Sequence, residues 1–157
     1  MLSVYRCHQP LIGLAPDAGR FLERVRGRRL ALITDGPLAS QKAKARALQL
    51  GAWINPLVFT AEHGPGFSKP SVHPFQLVAE TFGSDGADCW YVADNPLKDF
   101  QAPKSLGWQT VRVRRPSGLH FDVPTTNDID TEIESLDELF LTADEIIIPR
   151  RGSAIGG

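Results

Sequence analysis

An α/β fold built on a mainly parallel sheet is the fold class that this sequence predicts. Short apolar runs alternate along the chain with segments of helical periodicity, which is the pattern of βαβ units. Two of the runs end on polar residues that precede turns: one reaches Thr34 before Gly36, and the other reaches Asp94 before Pro96. Polar residues at the carboxyl ends of buried parallel strands lie where open α/β sheets bind ligands. The same pattern therefore predicts which edge of the sheet carries the functional site.

The individual elements are predicted from apolar periodicity and from residues that begin or end helices. Ser40 and Ser71 are placed as caps of the second and third helices, because a serine hydroxyl can accept a hydrogen bond from the first turn. Gly51 is placed as the end of the second helix. The predicted helices span 17–26, 41–50, 72–82, 99–106 and 136–141, and the predicted strands span 30–34, 57–60, 90–93, 109–113 and 132–134.

Composition and charge exclude several classes of protein. A chain of 157 residues suits one domain with a single core, and a net charge of −1 gives no general attraction to nucleic acid or to a membrane. No apolar run reaches membrane-spanning length, so a cytoplasmic protein is expected. Cys7 and Cys89 lie far apart in the sequence and indicate neither a metal motif nor a disulfide framework.

The residues at the predicted strand ends and loops suit phosphate and metal chemistry. Asp94 and Asp99 are two carboxylates five positions apart, and paired carboxylates suit a hard cation such as Mg²⁺. Lys69 stands just before the third helix, and Thr34 ends a strand. Each residue also has a structural alternative: Asp94 can hold a turn, Asp99 can cap a helix, Lys69 can be a solvated loop lysine, and Thr34 can simply end its strand.

In this order of hydroxyl, lysine and paired acids, the chain resembles the haloacid dehalogenase-like (HAD) superfamily of phosphohydrolases. Thr34 matches the second motif of that family, Lys69 the third, and Asp94 with Asp99 the fourth. The resemblance implies a three-layer, Rossmann-like core. It divides the chain into a linker remnant at 1–15, a truncated HAD-like core at 16–141 and a C-terminal tail at 142–157.

The resemblance also implies a role for each residue. The Thr34 hydroxyl would donate to a phosphoryl oxygen, with the turn amides acting as a small anion nest. Asp94 would bind Mg²⁺, and Asp99 would orient a metal-bound water or Lys69. By residue, the implied site has Lys69 and Asp99 as catalytic groups, Thr34, Asp35, Gly36 and Lys69 as phosphate-binding groups, and Asp94 as the metal ligand.

The first motif of the family has no counterpart in this sequence. HAD proteins open with an apolar strand that ends in Asp-x-Asp, and this motif supplies the nucleophile and the general acid/base. The only aspartate in residues 1–29 is Asp17, which follows Pro16 and begins a helix. The chain therefore resembles the later portion of a HAD protein, without the nucleophile strand and the cap.

Two functions from different classes follow. The first is a HAD-like phosphohydrolase domain that is inactive as this chain alone, acts on a small phosphorylated substrate, and depends on a missing N-terminal portion. The second is a non-catalytic HAD-like domain that binds a protein partner or a small anion, with a homo-oligomer as one form. A receiver-like signalling domain fits less well, because the first strand lacks clustered acids. Ser40 lacks the support that a serine nucleophile needs, and no Gly-rich dinucleotide loop follows the first strand.

The missing strand raises a structural question. In the HAD fold it lies between the strands that end at Thr34 and Asp94, so its loss would leave two unpaired edges. The flanking strands could pair directly, a local segment could fill the space, or another chain could donate a strand. A replacement strand is the preferred solution. Residues 2–5 are the better candidate within the chain, and the apolar run at 145–148 is the other.

Overall fold

The computed structural model describes residues 12–141 and 146–147, and its regular elements alternate between helix and strand over most of that length. Within these ranges, no helix is both long enough and apolar enough to cross a membrane. In chain order the elements are α1 (Pro16–Arg24), β1 (Leu32–Thr34), α2 (Leu38–Ala47), β2 (Leu57–Phe59), α3 (His73–Phe82), β3 (Trp90–Ala93), α4 (Gln101–Ser105), β4 (Gln109–Val113), β5 (Thr131–Ile133), β6 (Phe140–Leu141) and β7 (Ile146–Ile147), with 3₁₀ turns at Leu50–Ala52, Thr60–His63 and Leu136–Glu138.

The strands form two parallel sheets, as the predicted fold class requires. β1 pairs with β2, and β3 pairs with β4, which pairs in turn with β5. Among the described strands, β1 and β3 do not pair with each other. All four residues of β3 are half-buried, whereas β4 is buried from Thr110 to Val113. The sheet is therefore interrupted at the position where the resemblance places the missing strand.

The strand pairing tests two of the solutions that were proposed for the missing strand. Direct pairing of the flanking strands does not occur in the described part of the chain. Ile146–Ile147 pairs antiparallel with Phe140–Leu141 in a separate two-stranded sheet, so the candidate at 145–148 does not fill the space. The other candidate, 2–5, lies outside the described residues, as does most of the predicted tail at 142–157.

Two apolar clusters hold the layers together. The first contains Ile33 and Val58 of the β1–β2 sheet, which pack with Phe75 and Val78 of α3, and Tyr91 of β3 packs against it from the other sheet. The second is built from Val111, Val113, Ile133 and Leu139, with Phe21 of α1 packed against it. Residues of β3 alternate between the two clusters, with Tyr91 in contact with the first and Trp90 and Val92 with the second, so α3 and α1 cover opposite faces of this sheet, as expected for a three-layer core.

Most predicted bounds differ from the structure by one or two residues, and three differences affect the assigned roles. The second helix begins at Leu38, so Ser40 lies inside it rather than at its cap, and it ends before Gln49, which has a φ of +53°. The fourth helix begins at Gln101, so Asp99 precedes it. The predicted final helix at 136–141 is wrong: its first turn forms, but Phe140 joins a strand instead. A Ser135–Glu138 capping box stabilises that single turn, and pairing with β7 overrides the helical pattern beyond it.

Asp17, which the sequence marked only as a helix start, joins three parts of the chain. Its carboxylate accepts hydrogen bonds from Arg115 Nη1 at 2.7 Å, from the Leu136 N–H at 2.9 Å and from the Ser135 hydroxyl at 3.1 Å. Its side chain is 7% exposed. Burial raises the pKa of Asp17, but these hydrogen bonds outweigh burial and hold the pKa below its ordinary value.

Replacing Asp17 by asparagine is expected to lower the free energy of unfolding at pH 7 by about 2–4 kcal/mol, because the Arg115 guanidinium loses its charged partner. A carboxyl with a lowered folded-state pKa stabilises the protein above its unfolded pKa of about 4, and this contribution is lost as pH falls through the folded value. Urea denaturation at pH 7 and pH 3 should therefore show a smaller difference at pH 3. Asp88→Asn, at an exposed position, is the control, and equal losses for both variants would contradict the assignment.

Candidate functional site

Lys69 and Asp99 form a buried ion pair at the carboxyl edge of the two sheets. Lys69 Nζ lies 2.8 Å from Asp99 Oδ1, and the two side chains are only 9% and 4% exposed. The other Asp99 oxygen accepts a hydrogen bond from the Asn95 N–H at 3.1 Å. Asp99 therefore fixes both the lysine and the turn that follows β3, which fits the positioning role that the resemblance implies for it.

Tyr91 of β3 completes the surroundings of the lysine. Lys69 Nζ donates a hydrogen bond to the Tyr91 hydroxyl oxygen at 3.1 Å. Burial and the nearby carboxylates of Asp99, Asp35 and Asp94 raise the pKa of Tyr91 well above its ordinary value. The phenol therefore stays neutral. It accepts a hydrogen bond from the Lys69 ammonium but adds no negative charge beside it.

Asp35 is the link between the two sheets. One of its oxygens accepts hydrogen bonds from Thr60 Oγ1 at 2.9 Å and from the Lys69 N–H at 3.3 Å, and the other lies 3.1 Å from Lys98 Nζ. Burial raises the pKa of Asp35, but the Thr60 hydrogen bond and the two lysines outweigh it and lower the pKa overall. A permanent carboxylate thus ties β1, β2 and the lysine loop together.

The turn after β1 contains Gly36 in a left-handed backbone conformation that favours glycine. Gly36 has a φ of +119°, and a Cβ there would lie 2.9 Å from Gln41 Nε2. The Thr34 hydroxyl donates to Gln41 Oε1 at 2.9 Å. The hydroxyl that the resemblance assigns to phosphate is thus already held at the mouth of the turn by a side chain from the first turns of α2.

Asp94 directly follows β3 and is exposed, beside the end of β4. The described residues contain no group of three or more His, Cys, Asp or Glu side chains placed to hold a metal ion. One carboxylate with water ligands binds Mg²⁺ weakly. The residues described here therefore do not form a Mg²⁺ site by themselves.

Comparison with known families identifies this arrangement. Residues 7–107 match the haloacid dehalogenase-like hydrolase family. The chain belongs to that family. HAD membership explains why the end of β1, the lysine loop and the end of β3 meet at one edge, because these are the segments that carry the second, third and fourth HAD motifs.

Individual HAD proteins are similar over most of this chain. A glyceraldehyde 3-phosphate phosphatase of Methanocaldococcus jannaschii is 31% identical over 72% of this chain and 48% of its own length. A HAD phosphatase structure from Thermococcus onnurineus superposes with a TM-score of 0.67 at 25% identity, over 80% of this chain and 55% of that one. A HAD-hydrolase structure from Bacillus subtilis, described as bound to magnesium, superposes with a TM-score of 0.66 at 19% identity, over 80% and 54% of the two chains. The chain thus spans about half the length of these relatives.

Several residues that contact the predicted site residues were not predicted from the sequence. The Thr60 hydroxyl follows β2 as Thr34 ends β1, so the rule about strand ends could have found it. Lys98 lies between Asp94 and Asp99 in the sequence, where a lysine by itself indicates only a solvated turn. Gln41 and Tyr91 gave no signal, because a glutamine in a helix and a tyrosine in a strand are ordinary.

Proposed function

We propose that this chain is the later part of the catalytic core of a Mg²⁺-dependent HAD phosphatase, and that it has no turnover without a nucleophile strand. The observation that carries the proposal is the buried Lys69–Asp99 pair beside Asp35, at the edge where β1 and β3, among the described strands, do not pair with each other. Burying the lysine ammonium costs free energy, because the charge loses its hydration. A negatively charged phosphoryl group bound beside it would be stabilised by that charge.

The residues of the chain have defined roles in this proposal. Phosphoryl transfer depends mainly on positioning and on charge neutralisation. Lys69, held by Asp99 and Tyr91, would neutralise the phosphoryl oxygens. The Thr34 hydroxyl would turn from Gln41 to the phosphate. The attacking carboxylate would come from a strand between β1 and β3. Its attack on phosphorus would break the ester P–O bond, release the substrate's alcohol and leave an aspartyl-phosphate, which water would then hydrolyse to free carboxylate and inorganic phosphate.

A small phosphorylated molecule is the proposed substrate, since the curated relative is named as a glyceraldehyde 3-phosphate phosphatase. The cytoplasmic location remains a prediction. The alternative is a non-catalytic HAD-like domain that binds a small anion or a protein partner.

Both candidates predict an anion site at the turn after β1, and inorganic phosphate is the probe for it. Titration followed by amide NMR is expected to shift the signals of Thr34–Gly36 and of Lys69. Thr34→Val should raise the dissociation constant about threefold or more, because one neutral hydrogen bond is lost. Thr81→Val is the matched control, since Thr81 donates to Leu77 on α3. Shifts confined to other loops would count against this site.

A further inference from the structure

Lys98 and Asp99 are neighbours in the turn after β3, and each of them pairs with a different segment of the site. Asp99 Oδ1 lies 2.8 Å from Nζ of Lys69, which belongs to the loop before α3. Lys98 Nζ lies 3.1 Å from Oδ2 of Asp35, which belongs to the turn after β1. One short turn therefore makes an ion pair with each of the two other segments that carry HAD motifs.

A third contact joins those two segments to each other. The Lys69 N–H donates a hydrogen bond to Asp35 Oδ1 at 3.3 Å, so the loop before α3 and the turn after β1 are also in direct contact. Asp35, Lys69, Asp99 and Lys98 therefore form a charged ring, in which each of the three segments contacts the other two.

The members of the charged ring differ in burial. The side chains of Lys69, Asp99 and Asp35 are 9%, 4% and 13% exposed, whereas the Lys98 side chain is 42% exposed. Partly exposed ion pairs contribute little to the stability of a fold. The Lys98–Asp35 pair is therefore the contact of the ring on which folding depends least.

The Asp35 carboxylate is held from two sides, and Lys98 supplies one of them. Asp35 Oδ1 accepts hydrogen bonds from the Thr60 hydroxyl and from the Lys69 N–H. Among the described residues, the hydrogen bond from Lys98 is the only one that reaches Oδ2. Lys98 therefore helps to orient a carboxylate that in turn holds the backbone of Lys69.

The Lys98–Asp35 pair also crosses the interruption between the two sheets. Asp35 follows β1 and Lys98 lies in the turn after β3, and these two strands do not pair with each other in the described part of the chain. Backbone hydrogen bonds between β1 and β3 therefore do not set the separation of the two turns. The side-chain contact between Lys98 and Asp35 spans that separation directly.

We propose that Lys98 is a positioning residue of the phosphatase site. It acts through Asp35, and it holds the turn at 34–36 at a fixed separation from Lys69. This assignment rests on the proposed function, because it takes that turn as the place where the phosphoryl group binds. A phosphoryl group between Thr34 and Lys69 is bound less tightly when their separation varies, since phosphoryl transfer depends largely on positioning.

Amide NMR of the whole chain tests the proposal. In Lys98→Met, hydrogen exchange of the Lys69 N–H is expected to become about threefold faster, because Asp35 loses a partly exposed ion pair. The pKa of Asp35, followed by carbon-13 NMR, should rise, because a hydrogen bond that lowers it is lost. Lys98→Arg should restore both values, since a guanidinium can donate to the same carboxylate. Lys104→Met is the matched control, because Lys104 pairs instead with Asp130 and its side chain is 40% exposed.

Inorganic phosphate distinguishes positioning from direct contact. Lys98→Met should raise the dissociation constant for phosphate at 34–36 about threefold. The same substitution should have no further effect in the Asp35→Asn background, because the group that transmits its effect is already changed. A threefold effect that persists in that background would mean that Lys98 contacts phosphate itself, and it would overturn the proposal.

Failure of this proposal can be distinguished from failure of the proposed function. An absence of phosphate shifts at 34–36 in the unmodified chain would count against the phosphate site. Hydrogen exchange at Lys69 and the pKa of Asp35 would still decide the role of Lys98. If both quantities are the same in Lys98→Met as in Lys104→Met, the positioning role is wrong, whether or not phosphate binds.

Discussion

Phosphatase turnover is expected to appear when a strand ending in Asp-x-Asp is joined ahead of Met1 through a flexible linker, and to be absent from residues 1–157 alone. The reason is that β1 and β3 do not pair with each other among the described strands, and a strand inserted between them is expected to bring its carboxylate to the edge that holds Lys69. Loss of a covalent nucleophile typically costs about 10⁴–10⁶ in kcat. A generic phosphate ester assayed with Mg²⁺ measures the difference.

The matched control for this experiment is the same fusion with Asn-x-Asn at the strand end. It should show the same protection of the Leu32 and Val92 amides against hydrogen exchange, because backbone pairing does not need the carboxylates. Its turnover should be absent. If residues 1–157 alone show turnover, and Asp94→Ala abolishes it, the idea that a nucleophile strand is missing is wrong. If the Asp-x-Asp and Asn-x-Asn fusions have equal rates, the added aspartate is not the nucleophile.

Replacing Lys69 by methionine is expected to lower the free energy of unfolding by about 3–5 kcal/mol, because the Asp99 carboxylate is left buried without its cation. The lysine and its partner are almost entirely buried, so solvent cannot replace the interaction. The double variant Lys69→Met/Asp99→Asn should recover part of the loss, since the unpaired charge is removed. Urea denaturation at pH 7 measures all three proteins.

Lys42→Met is the control for this comparison. Lys42 pairs with Glu62 at the surface, where both side chains are about 40% exposed, and such pairs contribute about 0–1 kcal/mol. A loss of similar size in Lys42→Met and Lys69→Met would show that the buried pair has no special weight. If the double variant is no more stable than Lys69→Met, the lost stability comes from packing and not from the unpaired charge of Asp99.

Local pattern was sufficient for the central elements of the fold. The strands at 90–93 and 109–113 were predicted with the bounds that the structure has, because apolar runs limited by turn residues form buried strands largely regardless of their neighbours. The prediction failed where distant pairing overrides local pattern, as at Phe140, whose strand depends on Ile147. Asp17 lies in the first turn of a helix, as predicted, but local pattern gave no indication of its partners, which lie about a hundred residues away.

For the candidate site, too, some features could be predicted from the sequence and others could not. By itself the sequence determined which chemical groups this protein has at its ligand edge: a hydroxyl at Thr34, an ammonium at Lys69 and carboxylates at Asp94 and Asp99, each at a strand end or loop whose place follows from short-range pattern. Only the tertiary structure decided which of these groups meet, that Asp35 joins the two sheets, and that Arg112 is buried beneath the loop that follows β4. The physical reason is that ion pairs and hydrogen bonds depend on distances between atoms from different elements, and only the packing of those elements sets those distances.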